Sequence, residues 1–258
     1  MSKIFKEFTK ATPTILYCNT SERYQKAFGG MDYKFIVYEC GGAKKWDTNV
    51  CEVPSNHMVV KEITPNIQPD IVICQNKQYQ YVPLKELAQR YKSKFISIEH
   101  SLPIDTEAER FYGAKCHYNV FLSLGQAHTW LADDNVIIIE PPVEVPEKKI
   151  PGIWINNSCE FSVFYAVLEA MALGKCVVSP AFAEVANIIN NQYTGFLYNI
   201  NDVKSRDSIL TKLSQNKELI IDVGNMARLS VIEKYSEKVF QESWSKLIDH
   251  CCKFNIGE

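Results

Sequence analysis

Apolar residues in this chain fall into short blocks that alternate with amphipathic stretches. Thr14 to Cys18 reads as a buried strand, and Asn19-Thr20-Ser21-Glu22 offers an N-cap for a helix reaching about Phe28. Gly29-Gly30 stops that helix, and Tyr33 to Cys40 is the next strand. The pattern predicts further strands over Pro69 to Cys74, Lys94 to Ile98, Asn119 to Leu124 and Asn135 to Glu140. Helices are predicted from about Leu84 to Tyr91 and over Ser123 to Trp130.

From Gly152 to Leu197 the alternation is at its clearest. A strand (Ile153 to Asn156) leads into a loop at Asn157, Ser158 and Cys159, and apolar residues then recur at helical spacing from Phe161 through Met171. Gly174 stops the helix, Cys176 to Ser179 is a second strand, and a short helix and a turn lead into Gly195-Phe196-Leu197. Strand, helix, strand order implies parallel strands, and in open parallel sheets ligands bind beyond the carboxyl ends of the strands. The loop from Asn157 to Ser162 would lie there. Asp202 to Ser214, Lys217 to Lys234 and Ser236 to Cys252 read as helices.

Between the two series lies Pro141 to Pro151, with four prolines and four charged residues in eleven positions. It reads as a linker, so the expected division is residues 1–142, a linker at 143–151, and residues 152–258.

Composition narrows the class. At 258 residues and 46% hydrophobic, the chain can build one large core or two smaller ones. Its apolar runs are only four or five residues long and its first ten residues lack a signal-peptide core, so a cytoplasmic protein without a membrane span is expected. Nine cysteines, an odd number with no C-x-x-C pair, read as reduced and largely buried thiols, and the five histidines are scattered, which makes a structural zinc site unexpected. With 28 basic and 30 acidic residues the chain lacks the positive field of a dedicated duplex-DNA binder, although a local basic stripe is compatible with that balance. There is no G-x-G-x-x-G after the first strand, P-loop, D-x-D or G-x-S-x-G, so the usual dinucleotide, NTPase, metal-dependent glycosyltransferase and serine hydrolase readings have no motif to rest on.

Leu168-Glu169-Ala170-Met171-Ala172, then Gly174 and Val177-Val178, with Gly195-Phe196-Leu197 some twenty residues on, resembles the donor-binding half of retaining, nucleotide-sugar-dependent glycosyltransferases of the GT-B fold (family-4-like). The resemblance covers roughly the last 105 residues well and the N-terminal half in outline. It implies two Rossmann-like halves with parallel sheets, the C-terminal one shortened, and a terminal helix that crosses back onto the N-terminal domain. The implied reaction transfers a sugar from a nucleotide diphosphate sugar with retention and without a metal, the leaving phosphate oxygen helping to remove the acceptor proton. No cofactor is implied beyond the donor itself.

By the same resemblance Glu169 would hold the ribose, and Glu160 and His100 would contact the sugar. Asn157, Ser158 and the amides near Ser162 would meet the phosphate. Glu160 lies nine residues before Glu169 where the family spaces its two glutamates by eight, position 161 being Phe. A structural reading of each also exists: Glu169 as a helix cap or ion-pair partner, and His100 as a histidine bonded to a loop carbonyl.

One departure matters. The strand-helix units that carry the family's basic pair for the pyrophosphate are missing after the linker, so Arg23, Lys45 or Lys77, or a second subunit of a homo-oligomer, would have to supply the charge. The Lys-, Asn- and Ile-rich usage and small size resemble bacteriophage glycosyltransferases, some of which act on hydroxymethylated cytosine in DNA. On that reading Lys44, Lys45, Trp46 and Lys77 would contact DNA, against the alternative of a surface turn with Trp46 tucked beneath it. The competing readings are a glycan- or lipid-directed enzyme and a non-catalytic binding or assembly subunit of the same fold.

Overall fold

Strands buried on both faces must be apolar at successive positions, and the first half of the chain meets that demand. The structure, a computed structural model, describes residues 12–40, 43–75, 79–101, 115–132, 135–158 and 163–253. Seven strands form one wholly parallel sheet: β1 (Thr14–Tyr17), β2 (Lys34–Tyr38), β3 (His57–Val60), β4 (Ile71–Cys74), β5 (Lys94–Glu99), β6 (Tyr118–Phe121) and β7 (Val136–Ile138). Their order is β3-β2-β1-β4-β5-β6-β7. The order reverses between β1 and β4, in register Ile15 with Ile71 through Tyr17 with Ile73. That point is where open α/β sheets place their ligands.

Each strand sends alternate residues to opposite cores. Ile15, Tyr17, Phe35, Val37, Ile71 and Ile73 face one, while Leu16, Cys18, Ile36, Val72 and Cys74 face the other. The second face is covered by α2 (Tyr81–Tyr91) through Tyr81, Leu84 and Ala88. This helix begins three residues earlier than its apolar pattern predicts, because Pro83 falls in the first turn, where no intrahelical partner for its missing N–H is needed. β3 has no counterpart among the predicted elements. Only Met58, Val59 and Val60 follow Asn56 and His57, and pairing along β2 makes the segment a strand.

The first face is covered by α1 (Glu22–Lys26) with the 3₁₀ turn Ala27–Gly30, and by the last helix of the chain. That helix, Glu237–Lys253, buries Phe240, Trp244, Leu247, Ile248 and Cys251, the spacing of one helical face. From Phe240 onward it belongs to the same compact unit as the seven-stranded sheet. Phe28 lies 5.2 Å from Phe240 and 5.4 Å from Trp244 between ring centroids, and Tyr33 donates its hydroxyl to Asp249 Oδ1 at 2.7 Å. Burying each large side chain contributes about 1.5–3 kcal/mol, so this helix is an integral part of the first core.

The second unit runs from Pro141 to Val239. Its sheet has three parallel strands in the order β10-β9-β8: β8 (Gly152–Ile155), β9 (Lys175–Pro180) and β10 (Phe196–Tyr198). Helix α4 (Val163–Ala172) connects β8 to β9, and α5 (Ala183–Ile188) follows β9. Helix α6 (Val203–Ser214) is N-capped by Asp202, which accepts from Ser205 N–H at 2.9 Å. Asn216 likewise caps α7 (Lys217–Tyr235), accepting from Leu219 N–H. Between β6 and β7 of the first sheet lies α3 (Leu124–Thr129), and the last helix of the chain is α8.

Gly174, at φ +78°, ends α4 in a conformation that costs glycine little. Its carbonyl lies so close to α7 that a Cβ on Gly224 would sit 2.2 Å from it.

Residues 141–151 carry the composition of a linker, yet they are packed along the second unit. Val143 is buried among Phe164, Leu168 and Val231, and its N–H donates to Tyr235 O at 2.8 Å. Pro146 O accepts from Arg228, Lys149 Nζ donates to Asn225 Oδ1, and Ile150 N–H donates to Leu173 O. Prolines preset an extended backbone, and the valine between them gives that backbone something to bury. The eight cysteines among the described residues are free thiols.

Candidate functional site

Each sheet ends, at its carboxyl edge, in a rim of polar side chains directly after an apolar strand. At the first sheet the rim is made by Asn19 and Thr20 after β1, Gln75 after β4 and His100 after β5. Gln75 Oε1 accepts from Thr20 Oγ1 at 3.0 Å and lies 3.0 Å from His100 Nε2, and Gln75 Nε2 donates to Cys18 O at 3.1 Å. Tyr24 meets the His100 ring edge-on, with centroids 4.8 Å apart. Burial pushes the imidazole down to about 4, so it is neutral at pH 7.

The backbone around His100 is held as firmly as the ring. Gln126 on α3 donates its amide to Glu99 O at 3.1 Å and Ser101 O at 3.0 Å, and Trp130 Nε1 also donates to Ser101 O. The Gln126 side-chain oxygen accepts from Leu122 N–H at 2.8 Å. The carbonyls of the two residues on either side of the histidine are thereby tied to α3 and the residue that ends it.

A carboxylate organises the loop beside this rim. Glu22 accepts from Lys44 Nζ (2.7 Å), Asn19 Nδ2 (2.8 Å) and Asp47 N–H (3.0 Å), while Asn19 also donates to Lys45 O (3.0 Å). Burial works against its charge, but these donors outweigh burial and hold the carboxyl down at about 2. Trp46 is 8% exposed, packs into the first core and donates Nε1 to Cys51 O, so its indole is a core group and not an open stacking surface. Arg23 and Lys45 are exposed, and Lys44 is engaged by Glu22.

At the second sheet the bonded side chains of the rim among the described residues are uncharged. Asn156 Nδ2 donates to Ser158 O and Ser179 Oγ, both at 2.9 Å, and its Oδ1 accepts from Ser158 N–H. Tyr198 OH donates to Asn156 O and contacts Asn157 Oδ1 at 3.4 Å. The ends of β8, β9 and β10 are thus joined through one asparagine, and Asn157 itself is exposed. Glu169 lies almost two turns into α4 on its outward face with Tyr165, four residues before it. It is exposed and has no ion pair or side-chain hydrogen bond among the described residues, so it neither caps nor clamps the helix. Glu160, Ser162 and Lys77 lie outside the described residues.

The polar groups that sequence reasoning left without a role are Thr20, Gln75, Gln126, Asn156, Ser179 and Tyr198. Three of the rim positions share a legible signal, a polar residue immediately after an apolar strand: Asn19, Gln75 and Asn156. No group of three or more His, Cys, Asp or Glu that could hold a metal occurs among the described residues, and no described helix is long and apolar enough to cross a membrane.

No protein-family model matches the sequence, and no curated protein matches it either. Solved structures are similar over nearly the whole chain. A glycosyltransferase from Rickettsia africae ESF-5 superposes with a TM-score of 0.66 at 13% identity, covering 94% of this chain and 99% of that one. HepE of Anabaena in complex with UDP and glucose gives 0.68 at 7% identity, covering 92% and 100%. Sucrose-phosphate synthase from Thermosynechococcus elongatus gives 0.65 at 8% identity, covering 92% and 98%. At these identities the likeness is one of fold. The chain has an α/β, GT-B-like fold, with a seven-stranded parallel sheet in one unit and a three-stranded parallel sheet in the other.

Proposed function

We propose that the chain is a glycosyltransferase that moves a sugar from a nucleoside diphosphate sugar to an acceptor hydroxyl. The observation that carries this reading is Glu169: an exposed carboxylate without an ion pair or side-chain hydrogen bond among the described residues, on the helix that follows the β8 rim, in a GT-B-like fold. A carboxylate so placed accepts two vicinal ribose hydroxyls without first giving up a partner. Asn157 and Ser158, with the amides near Ser162, serve the diphosphate, and His100 and Glu160 serve the sugar. Arg23 and Lys45, the exposed cations beside the first rim, are the side chains this reading assigns to phosphate or acceptor.

Transfer proceeds in this reading with retention and without a metal, the leaving phosphate oxygen taking the acceptor proton. For the acceptor, a glycan or lipid-linked sugar is favoured over hydroxymethylated DNA. Trp46 is buried and Lys44 is neutralised by Glu22, which removes two of the four side chains a DNA contact would use. A second reading, a non-catalytic binding subunit, is favoured by the absence of a cation among the bonded groups of the second rim in the described residues, namely Asn156, Asn157, Ser158, Ser179 and Tyr198. A leaving diphosphate is best stabilised by positive charge or helix-end donors.

Thermal unfolding against a panel of nucleoside diphosphates and their sugars separates the two. A donor present at a hundred times its Kd stabilises the folded state by about 2.7 kcal/mol and raises the midpoint by several degrees. A shift confined to one nucleotide and its sugar identifies the donor. The absence of any shift at millimolar concentration sinks the enzyme reading.

A further inference from the structure

The side chains beneath His100 settle which of its ring nitrogens carries the proton. Gln75 is 4% exposed and has polar groups on both sides of its amide. The Cys18 carbonyl can only accept, so the Gln75 nitrogen faces it at 3.1 Å. With the Gln25 amide oriented so that its oxygen accepts, the same nitrogen also donates to Gln25 at 2.6 Å, and Gln25 accepts from Thr20 N–H at 3.2 Å. Two acceptors on the nitrogen side leave Gln75 Oε1 on the other, where Thr20 Oγ1 donates and His100 Nε2 lies 3.0 Å away. An amide oxygen cannot donate, so Nε2 must. In a neutral imidazole the lone pair is then on Nδ1, for which no hydrogen-bond partner occurs among the described residues. Tyr24 and the Gln126 clamp on Glu99 and Ser101 keep the ring and its backbone in place.

We propose that Gln75 is a positioning residue for His100, holding its proton on Nε2 so that the Nδ1 lone pair accepts a hydrogen bond from a hydroxyl of the bound sugar. The assignment of the ligand rests on the glycosyltransferase reading; the assignment of the proton does not. The chemistry is selective. A neutral sugar hydroxyl has a proton to donate to Nδ1, whereas a phosphate oxygen without a proton meets lone pair against lone pair. At Nδ1 a hydroxyl is therefore preferred to an unprotonated phosphate oxygen.

Long-range proton–nitrogen correlation spectra of the full chain labelled at histidine nitrogen, with His100 assigned through His100→Asn, read the tautomer directly. The expected result is a pyrrole-like Nε2 and a pyridine-like Nδ1 at pH 7.5, exchange between tautomers in Gln75→Met, and retention of the Nε2 proton in Gln75→Glu, which keeps an acceptor beside it. A pyridine-like Nε2 in the unaltered protein overturns the proposal, as does a tautomer unchanged in a folded Gln75→Met. If Gln75→Met does not fold, loss of the Nε2 proton in Gln75→Glu overturns it instead.

UDP and UDP-glucose are the ligand probes. Gln75→Met is expected to weaken UDP-glucose about 5- to 10-fold relative to UDP, the worth of one hydrogen bond. An unchanged ratio beside a changed tautomer overturns the hydroxyl contact. Should the unaltered protein bind no nucleotide or nucleotide sugar of the full panel, the glycosyltransferase reading falls while the tautomer result stands.

Discussion

At the first rim the carboxylate of Glu22 is 2% exposed and takes hydrogen bonds from Lys44, Asn19 and Asp47; at the second, Glu169 stands in solvent with no such partner among the described residues. Both acids lie on helices that follow the carboxyl end of a parallel strand. The difference is one of purpose. A buried, saturated carboxylate is spent on holding a loop, and its removal leaves donors without an acceptor. An exposed one costs nothing to hold ready and is available to a ligand. Proximity to a strand end marked both acids, but only their bonding distinguishes scaffold from candidate contact.

Four experiments break or sharpen that contrast. The largest effect is expected at Gly224, where the second unit is held by backbone lying against backbone. Gly224→Ala places a methyl group 2.2 Å from Gly174 O, and a loss of about 3 kcal/mol or more is expected in denaturant unfolding. A loss below 1 kcal/mol would mean that α7 is free to move away from the turn. Next comes Glu22→Ala, which strands Asn19 and the Asp47 amide and releases Lys44. A loss of about 2–3 kcal/mol is expected, and chemical denaturation at pH 7 measures it.

Acidification probes the first unit at the amino and carboxyl edges of its sheet, through His57 at the start of β3 and His100 after β5. Burial holds His57 at about 3 and His100 at about 4, below the 6.5 of an exposed histidine, so the unfolded chain binds protons that the folded one refuses. Stability is therefore unaffected by these groups above pH 6.5 and falls as pH drops from 6.5 towards 4, by up to about 1.4 kcal/mol per pH unit for each histidine. Below about 4.5 Glu22 adds to the loss, since its depressed value means that stability present above 4.5 disappears as pH falls towards 2. Urea midpoints at pH 7, 6 and 5 test this, and a flat profile over that range would contradict the burial of His57.

The smallest change in stability is expected at Glu169. Glu169→Ala should alter unfolding by no more than about 0.5 kcal/mol, because the side chain is exposed and unbonded among the described residues. Its donor affinity should nevertheless fall tenfold or more, as calorimetry would show. Loss of stability without loss of affinity would make Glu169 a second Glu22.

Much of this fold was legible in the sequence because strands buried on both faces leave continuous apolar runs, as Ile71 to Cys74 does, and because Gly174 and Gly29-Gly30 punctuate their helices. The parallel direction of the strands followed from the alternation alone. Glu169 was singled out by the motif its helix resembles, and His100 by its place at the end of a buried strand together with the same resemblance. What escaped was whatever depends on partners distant in sequence. His57–Val60 is a strand because β2 offers it an edge to pair with. Residues 141–151 have the composition of a tether, and Tyr235, Arg228 and Asn225 make them a packed strap. Trp46 in a basic loop suggests a stacking platform, but the preferred sequence reading is a surface turn with the indole tucked beneath it, and its bond to Cys51 O within the first core agrees with the latter.

The sequence by itself thus determined local direction, element order and the strand ends at which polar residues accumulate, since these follow from side-chain periodicity and backbone preference within a few residues. Tertiary structure decided which polar residues are spent and which are free. Thr20, Gln75 and His100 meet only because β1, β4 and β5 are neighbours in the sheet. A hydrogen bond forms where a donor and an acceptor come within about 3 Å, and no local rule of the chain specifies that distance across 55 residues.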